Sequence, residues 1–201
     1  MKRPIAELRT LLVRTGAEAE WLRDEQEVWQ ILRRKPGYAT HHLYRASREH
    51  EQRLVYSEWE SKKALDGARQ FLGGTPLGRR LQATLSAGPE RMAVELLGPV
   101  TSTKGLDLPD GALAATAIVR LPPSTTLTPE QYTAVGKQLM KQTGHLTQVL
   151  FRGFDQPAVV GVLCYWQDTA ALERAIAALP QIEVDGHKLA LAYLPYEPLR
   201  A

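Results

Sequence analysis

The sequence predicts an α+β chain of two ferredoxin-like domains, each with the order β-α-β-β-α-β, packed sheet to sheet. Three observations predict it. First, the chain of 201 residues repeats itself at a constant offset of 107. Between Gly37–Leu72 and Gly144–Leu179 ten of 36 pairs are identical, among them Gly37/Gly144, Arg45/Arg152, Trp59/Trp166 and Ala64/Ala171. Chance would give about two, because a typical residue type makes up roughly one-twentieth of a chain. Second, each copy is near the usual size of one domain and carries the strand and helix order of the split βαβ arrangement. Third, residues 159–166 are apolar on both alternate faces: Val160, Val162, Cys164 and Trp166 on one, Val159, Leu163 and Tyr165 on the other. A sheet with one wet face would alternate apolar and polar. This one needs a cover, and the other copy is the obvious one.

The elements follow in order. An extended stretch over 5–14 leads into a helix over 17–34, whose Trp21, Leu22, Val28, Trp29 and Leu32 recur at helical spacing. Pro36-Gly37 stops it. Strands are predicted over 38–47 and 54–59. Ser61 caps the next helix, whose face is Ala64, Leu65, Ala68, Phe71 and Leu72. Gly73-Gly74 breaks that helix. A short helix over 76–85 and a strand over 92–97 complete the copy.

Copy two opens with a strand over 113–121. Thr128-Pro129-Glu130-Gln131 then combines a cap, a proline suited to the first helical position and a glutamine able to close a capping box. Gly144 ends this helix as Gly37 ends its counterpart. Strands over 146–154 and 159–166 follow, Asp168 caps the next helix, and the final strand is expected over 188–194. Domains of 1–98 and 112–201 are thus joined by a polar linker, 99–111.

Composition excludes several classes. The net charge of +3 is split unevenly, with 17 Lys+Arg against 13 Asp+Glu in residues 1–100 and 8 against 9 in the rest. The basic pairs Arg33-Arg34 and Arg79-Arg80 fall at expected helix ends, where the helix dipole favours cations without any nucleic acid. No apolar run approaches the roughly 20 residues of a membrane span, and no signal-peptide core follows Met1. A cytoplasmic protein, without nucleic-acid or membrane partners, is expected. The single cysteine, Cys164, rules out an internal disulfide and a thiolate zinc cluster, and its apolar strand marks it as an inert core thiol. His41 and His42 are adjacent, so in a strand they point to opposite faces and cannot share a metal.

Pro36-Gly37-Tyr38, Leu43-Tyr44-Arg45 and Glu58-Trp59-Glu60-Ser61 followed by Ala64-Leu65 resemble the antibiotic-biosynthesis-monooxygenase-like family. In copy two, Tyr165-Trp166-Gln167-Asp168 stands in for the Glu-Trp-Glu-Ser run. The resemblance implies a dimeric α+β barrel, here in tandem form, so that one chain is an intramolecular pseudo-dimer, monomeric in solution. The family includes cofactor-free quinone-forming oxygenases and heme-degrading oxygenases.

The quinone-forming motif pairs Trp59 with an Asn four residues earlier, a Tyr six later and a more distant Arg. This chain has Val55 and Leu65 at the first two positions and Arg79 at the third. Copy two keeps Trp166 but has Val162 and Leu172. Neither helical region where the heme-degrading branch carries its axial histidine contains one.

The candidate ligand-binding residues are therefore Trp59, Arg79, Tyr44, Tyr56 and Arg45, in a copy-one cavity between sheet and helices. No metal or cofactor is expected. Two functions stay open: binding of a small aromatic molecule with cofactor-independent oxygenation, or a ligand-binding or structural pseudo-dimer without activity.

Overall fold

Alternation in the strands and 3.6-residue periodicity in the helices are both realised. The computed structural model describes residues 4–47, 49–97, 103, 106–121, 128–178, 181–184, 187–190 and 193–199. The chain divides into two compact units, Met1–Ala93 with Leu199–Ala201, and Val94–Pro198.

In unit 1, β1 (Ile5–Leu12), β2 (Tyr38–Ala46) and β3 (Gln52–Trp59) form an antiparallel sheet with β3 in the middle. The helices are α1 (Glu18–Leu32), α2 (Lys62–Gly73) and α3 (Pro76–Ala83). One sheet face, with Ile5, Leu11, Leu43, Val55 and Trp59, packs against Trp21, Val28, Trp29, Leu65, Leu77 and Leu81 of the helices. Ser61 caps α2 by accepting the Ala64 N–H at 3.2 Å. Thr75 caps α3 by accepting the Gly78 N–H at 3.0 Å, and Pro76 starts that helix. After α3 the chain is fastened to β1: Ser86 N donates to Leu12 O at 2.9 Å, and Val13 bridges Leu85. That fastening sets α3 beside β1, which matters for the site.

Gly37 occupies the left-handed region (φ +79°), and a Cβ there would lie 2.7 Å from the Ala64 Cβ. Gly144 repeats the arrangement at φ +86°, 2.4 Å from Ala171. Both glycine–alanine pairs of the repeat are thus one contact, a helix-end turn pressed on the next helix.

Unit 2 holds β4 (Glu90–Leu97, from Val94), β5 (Leu113–Arg120), β6 (His145–Gly153), β7 (Val159–Trp166) and β10 (Tyr193–Pro198), in the order β10-β5-β7-β6-β4. Its helices are α4 (Pro129–Met140) and α5 (Thr169–Ala178). The Thr128/Gln131 capping box is present, and Asp168 accepts the Ala171 N–H at 2.7 Å.

Two expectations are corrected. The last strand of copy one does not stay with its own copy over its whole length: Val94–Leu97 pair with Gly153–Leu150 of β6. This satisfies the backbone groups of a strand that would otherwise be an edge. Arg152 extends the pairing by donating to Glu95, directly opposite, at 2.6 Å. Copy two also does not pass straight to a final strand over 188–194. A hairpin of β8 (Gln181–Val184) and β9 (His187–Ala190) intervenes, and the final strand is β10. The chain then returns to unit 1, where Leu199 N donates to Leu43 O at 2.8 Å. Of the linker, Thr103 and 106–111 are described; the rest lies outside the described residues. Among the described residues no helix is long and apolar enough to cross a membrane.

Candidate functional site

The helix face of β1 reads Ile5, Glu7, Arg9, Leu11. Two charged residues therefore project where alternation calls for apolar ones. On α1, Asp24 and Glu25 likewise fall on the buried stripe of Trp21, Val28, Trp29 and Leu32. Buried charges must be paired, and these are. Glu7 accepts from Arg69 of α2 at 2.8 Å. Asp24 pairs with Arg80 of α3 at 3.3 Å, and Arg80 also reaches Glu27 at 2.8 Å. Glu25 Oε1 accepts from Arg9 and, at 2.9 Å, from Trp29 Nε1. The ion pairs tie β1, α1, α2 and α3 together around one space.

That space is a cleft of about 220 Å³ between β1, α1, the end of α2 and α3. Arg9, Trp21, Glu25, Arg79, Gln82 and Arg91 give it polar character, and leucines, two glycines and a proline line the remainder. Three buried polar atoms on its wall have no hydrogen-bond partner among the described residues: Arg9 Nε, Trp21 Nε1 and Glu25 Oε2. Their side chains are 7%, 1% and 0% exposed. Orphaned buried polar atoms are rare and costly in native proteins. Here two are donors and one is an acceptor, and they line one cleft.

The lining carries three guanidinium groups, of Arg9, Arg79 and Arg91, against one carboxylate. Desolvation pulls the Arg91 guanidinium below its ordinary value; Glu7 opposes this, and Arg9 and Arg69 add to it. The cleft is therefore set to take an anion with an oxygen for the N–H groups and a hydroxyl for Glu25 Oε2.

The sequence candidates separate by place. Arg79 lines the cleft. Trp59 does not: it is buried at the end of β3, donates Nε1–H to Ser57 Oγ at 3.0 Å, and meets Tyr38 edge-on at 5.7 Å. Tyr44 and Tyr56 are fully buried but alternate to the sheet face opposite Val55 and Trp59. Tyr56 donates to Glu58 Oε1 at 2.9 Å, and both tyrosines lie 6.2 Å from His42. Arg45 is on the helix side of β2, opposite Arg53, and contributes to lowering the Arg53 guanidinium, after burial. Val55 and Leu65 are core residues. Arg9, Trp21, Glu25, Gln82 and Arg91 were not singled out as site residues. For Arg9 and Glu25 the signal was available, as charges at buried positions of an otherwise apolar pattern.

Residues 4–70 match the family model described as antibiotic biosynthesis monooxygenase. Unit 1 is an antibiotic-biosynthesis-monooxygenase-like domain. It carries every residue of the match and the charged cleft as well. No curated protein matches the chain. Among solved structures, an anthrone oxidase-like protein is 14% identical, with 98% of this chain and 92% of that chain covered and a TM-score of 0.67. A candidate monooxygenase from Lactobacillus acidophilus NCFM is 11% identical, with 98% and 94% covered and a TM-score of 0.64. A candidate chlorite dismutase is 15% identical, with 100% and 96% covered and a TM-score of 0.68. These likenesses show the fold alone: whole chains of similar length share this two-copy α+β architecture. Among the described residues no three His, Cys, Asp or Glu side chains are grouped to hold a metal ion.

Proposed function

We propose that the unit 1 cleft binds a small hydroxylated aromatic molecule as its anion and promotes its oxygenation without a cofactor. The observation that carries this reading is the group of three unpartnered buried atoms, Arg9 Nε, Trp21 Nε1 and Glu25 Oε2, beside Arg79 and Arg91. Oxygenation without a cofactor requires the substrate itself to give electrons to O2, so its anion must be formed and held. Donors fixed in advance around a developing oxyanion are the strongest way to hold it. Glu25 Oε2 accepts the substrate hydroxyl, and Trp21, Arg9, Arg79 and Arg91 surround the oxyanion.

The test is calorimetry with a hydroxynaphthoate on the whole chain, followed by oxygen uptake with a dihydroxynaphthoate. Binding is expected to weaken at least tenfold in Arg79→Gln and in Glu25→Gln. Equal affinity in both variants would sink the cleft as the site. A second reading, binding without turnover, draws on Val55 and Leu65, which put apolar side chains where the quinone-forming motif has Asn and Tyr. Tight binding with oxygen uptake no faster than in buffer would decide for it.

A further inference from the structure

The 107-residue offset aligns Trp29 with Gly136, Tyr38 with His145, His41 with Gln148 and Leu43 with Leu150. In unit 1 these positions are filled. The Trp29 ring lies flat on His41, with centroids 4.2 Å apart and planes 5° apart, and the Tyr38 hydroxyl and His41 Nδ1 are hydrogen-bonded at 2.6 Å. In unit 2 the position of Trp29 is taken by Gly136, which carries no ring. A Cβ on Gly136 would lie 2.7 Å from Gln148 Nε2, so α4 rests directly on the Gln148 amide. A pocket of about 370 Å³ remains beside it, lined by Leu97, Met140, His145, Leu146, Gln148 and Leu150 among others.

We infer that this pocket is a second small-molecule site, separate from the unit 1 cleft, for a neutral aromatic alcohol. Gln148 is 7% exposed and its Oε1 has no partner among the described residues; His145 Nε2 is also buried without one. A carboxamide oxygen only accepts, so the occupant must bring a donor. His145 is held edge-on to Trp166 at 5.2 Å. Burial keeps its imidazole neutral to lower pH than usual, and the neighbouring Gln148 side chain opposes that shift. Among the described residues no Asp, Glu, Lys or Arg lines the pocket, which disfavours an ion. Met140 and Leu146, 60% and 41% exposed, extend the apolar wall to the rim. The occupant is therefore mainly apolar, with a single hydroxyl reaching Gln148 Oε1 and His145.

Calorimetry with naphthalenemethanol, an aromatic alcohol that does not ionise near neutral pH and so offers the unit 1 cleft no anion, tests this on the whole chain. The expected result is one saturable site. Its binding should weaken at least tenfold in Gln148→Leu, and naphthalene binding should be unchanged in that variant. Leu146→Trp, at an exposed rim position, should block both ligands, and it serves as the test if Gln148→Leu fails to fold. Arg79→Gln should leave naphthalenemethanol binding unchanged, which separates this site from the unit 1 cleft. Absence of saturable naphthalenemethanol binding would overturn the inference, as would a loss in Arg79→Gln with none in the unit 2 variants.

Discussion

Where α1 meets β2 in unit 1, a tryptophan lies on a histidine; at the same place in unit 2, a glycine lies on a glutamine and a pocket stays open. Elsewhere the pattern reverses. Unit 1 opens a cleft by α3, a helix with no counterpart among the described residues of unit 2, and lines it with arginines. The repeat thus keeps its framework and moves its empty space. Most residues shared at the 107 offset turn the chain or fill the core: the φ-positive glycines, Trp59 and Trp166, Leu65 and Leu172. Even the tryptophan's partner is replaced without loss, since Trp59 donates to Ser57 Oγ and Trp166 to Cys164 Sγ at 3.2 Å. Burial pushes the Cys164 thiol up to about 12, so it is a packing group rather than a nucleophile.

Exchanging the residues that differ gives the largest expected effect. Trp29→Ala removes the stacked ring and the hydrogen bond to Glu25, and should cost about 3–5 kcal/mol in urea unfolding. Gly136→Trp in unit 2 drives a ring against the movable end of Gln148, and should cost only about 1–3 kcal/mol by the same measurement. Equal losses would mean that the two positions are not counterparts.

The shared turn comes next. Gly37→Ala and Gly144→Ala both place a Cβ on an alanine in a backbone region that L-residues avoid. Each should lower stability by roughly 2–4 kcal/mol. A neutral result at one glycine alone would break the symmetry of the repeat at its best-matched point.

The smallest effect is a pH dependence that His41 brings to unit 1. Burial chiefly, then His42 and Arg33, lowers His41 from 6.5 to about 4. Between those values the unfolded chain takes up a proton that the folded chain refuses. This contribution is therefore complete above about 6.5 and is lost as pH falls toward 4. His41→Gln installs the unit 2 residue. Its melting temperature should fall less between those pH values than that of the parent chain. Parallel pH profiles would remove His41 from the account.

Much of the framework was legible because it rests on local rules. The capping box at Thr128, the caps at Ser61 and Asp168, the glycine stops and the helix after Gly74 are each short-range chemistry, and each formed. Strand partners across long separations were harder. No local pattern told β4 that its last residues would lie on β6, or that a hairpin would precede β10.

The site was legible only in part. Arg79, expected from its family position, lines the cleft, whereas Trp59 and Tyr56 have partners of their own and lie away from it. Arg9 and Glu25 interrupt the apolar patterns of β1 and α1, and a hydrophobic pattern read in one dimension does not show which interruptions converge.

The sequence by itself determined that the fold is built twice, where its turns lie and which residues form its cores. Those follow from periodicity, capping and steric limits on single residues. The tertiary structure alone decided where the two copies leave space. A cavity is a difference between neighbouring volumes, set by residues from several elements at once, and in unit 2 it lies where Gly136, Gln148 and His145 stand in for Trp29, His41 and Tyr38.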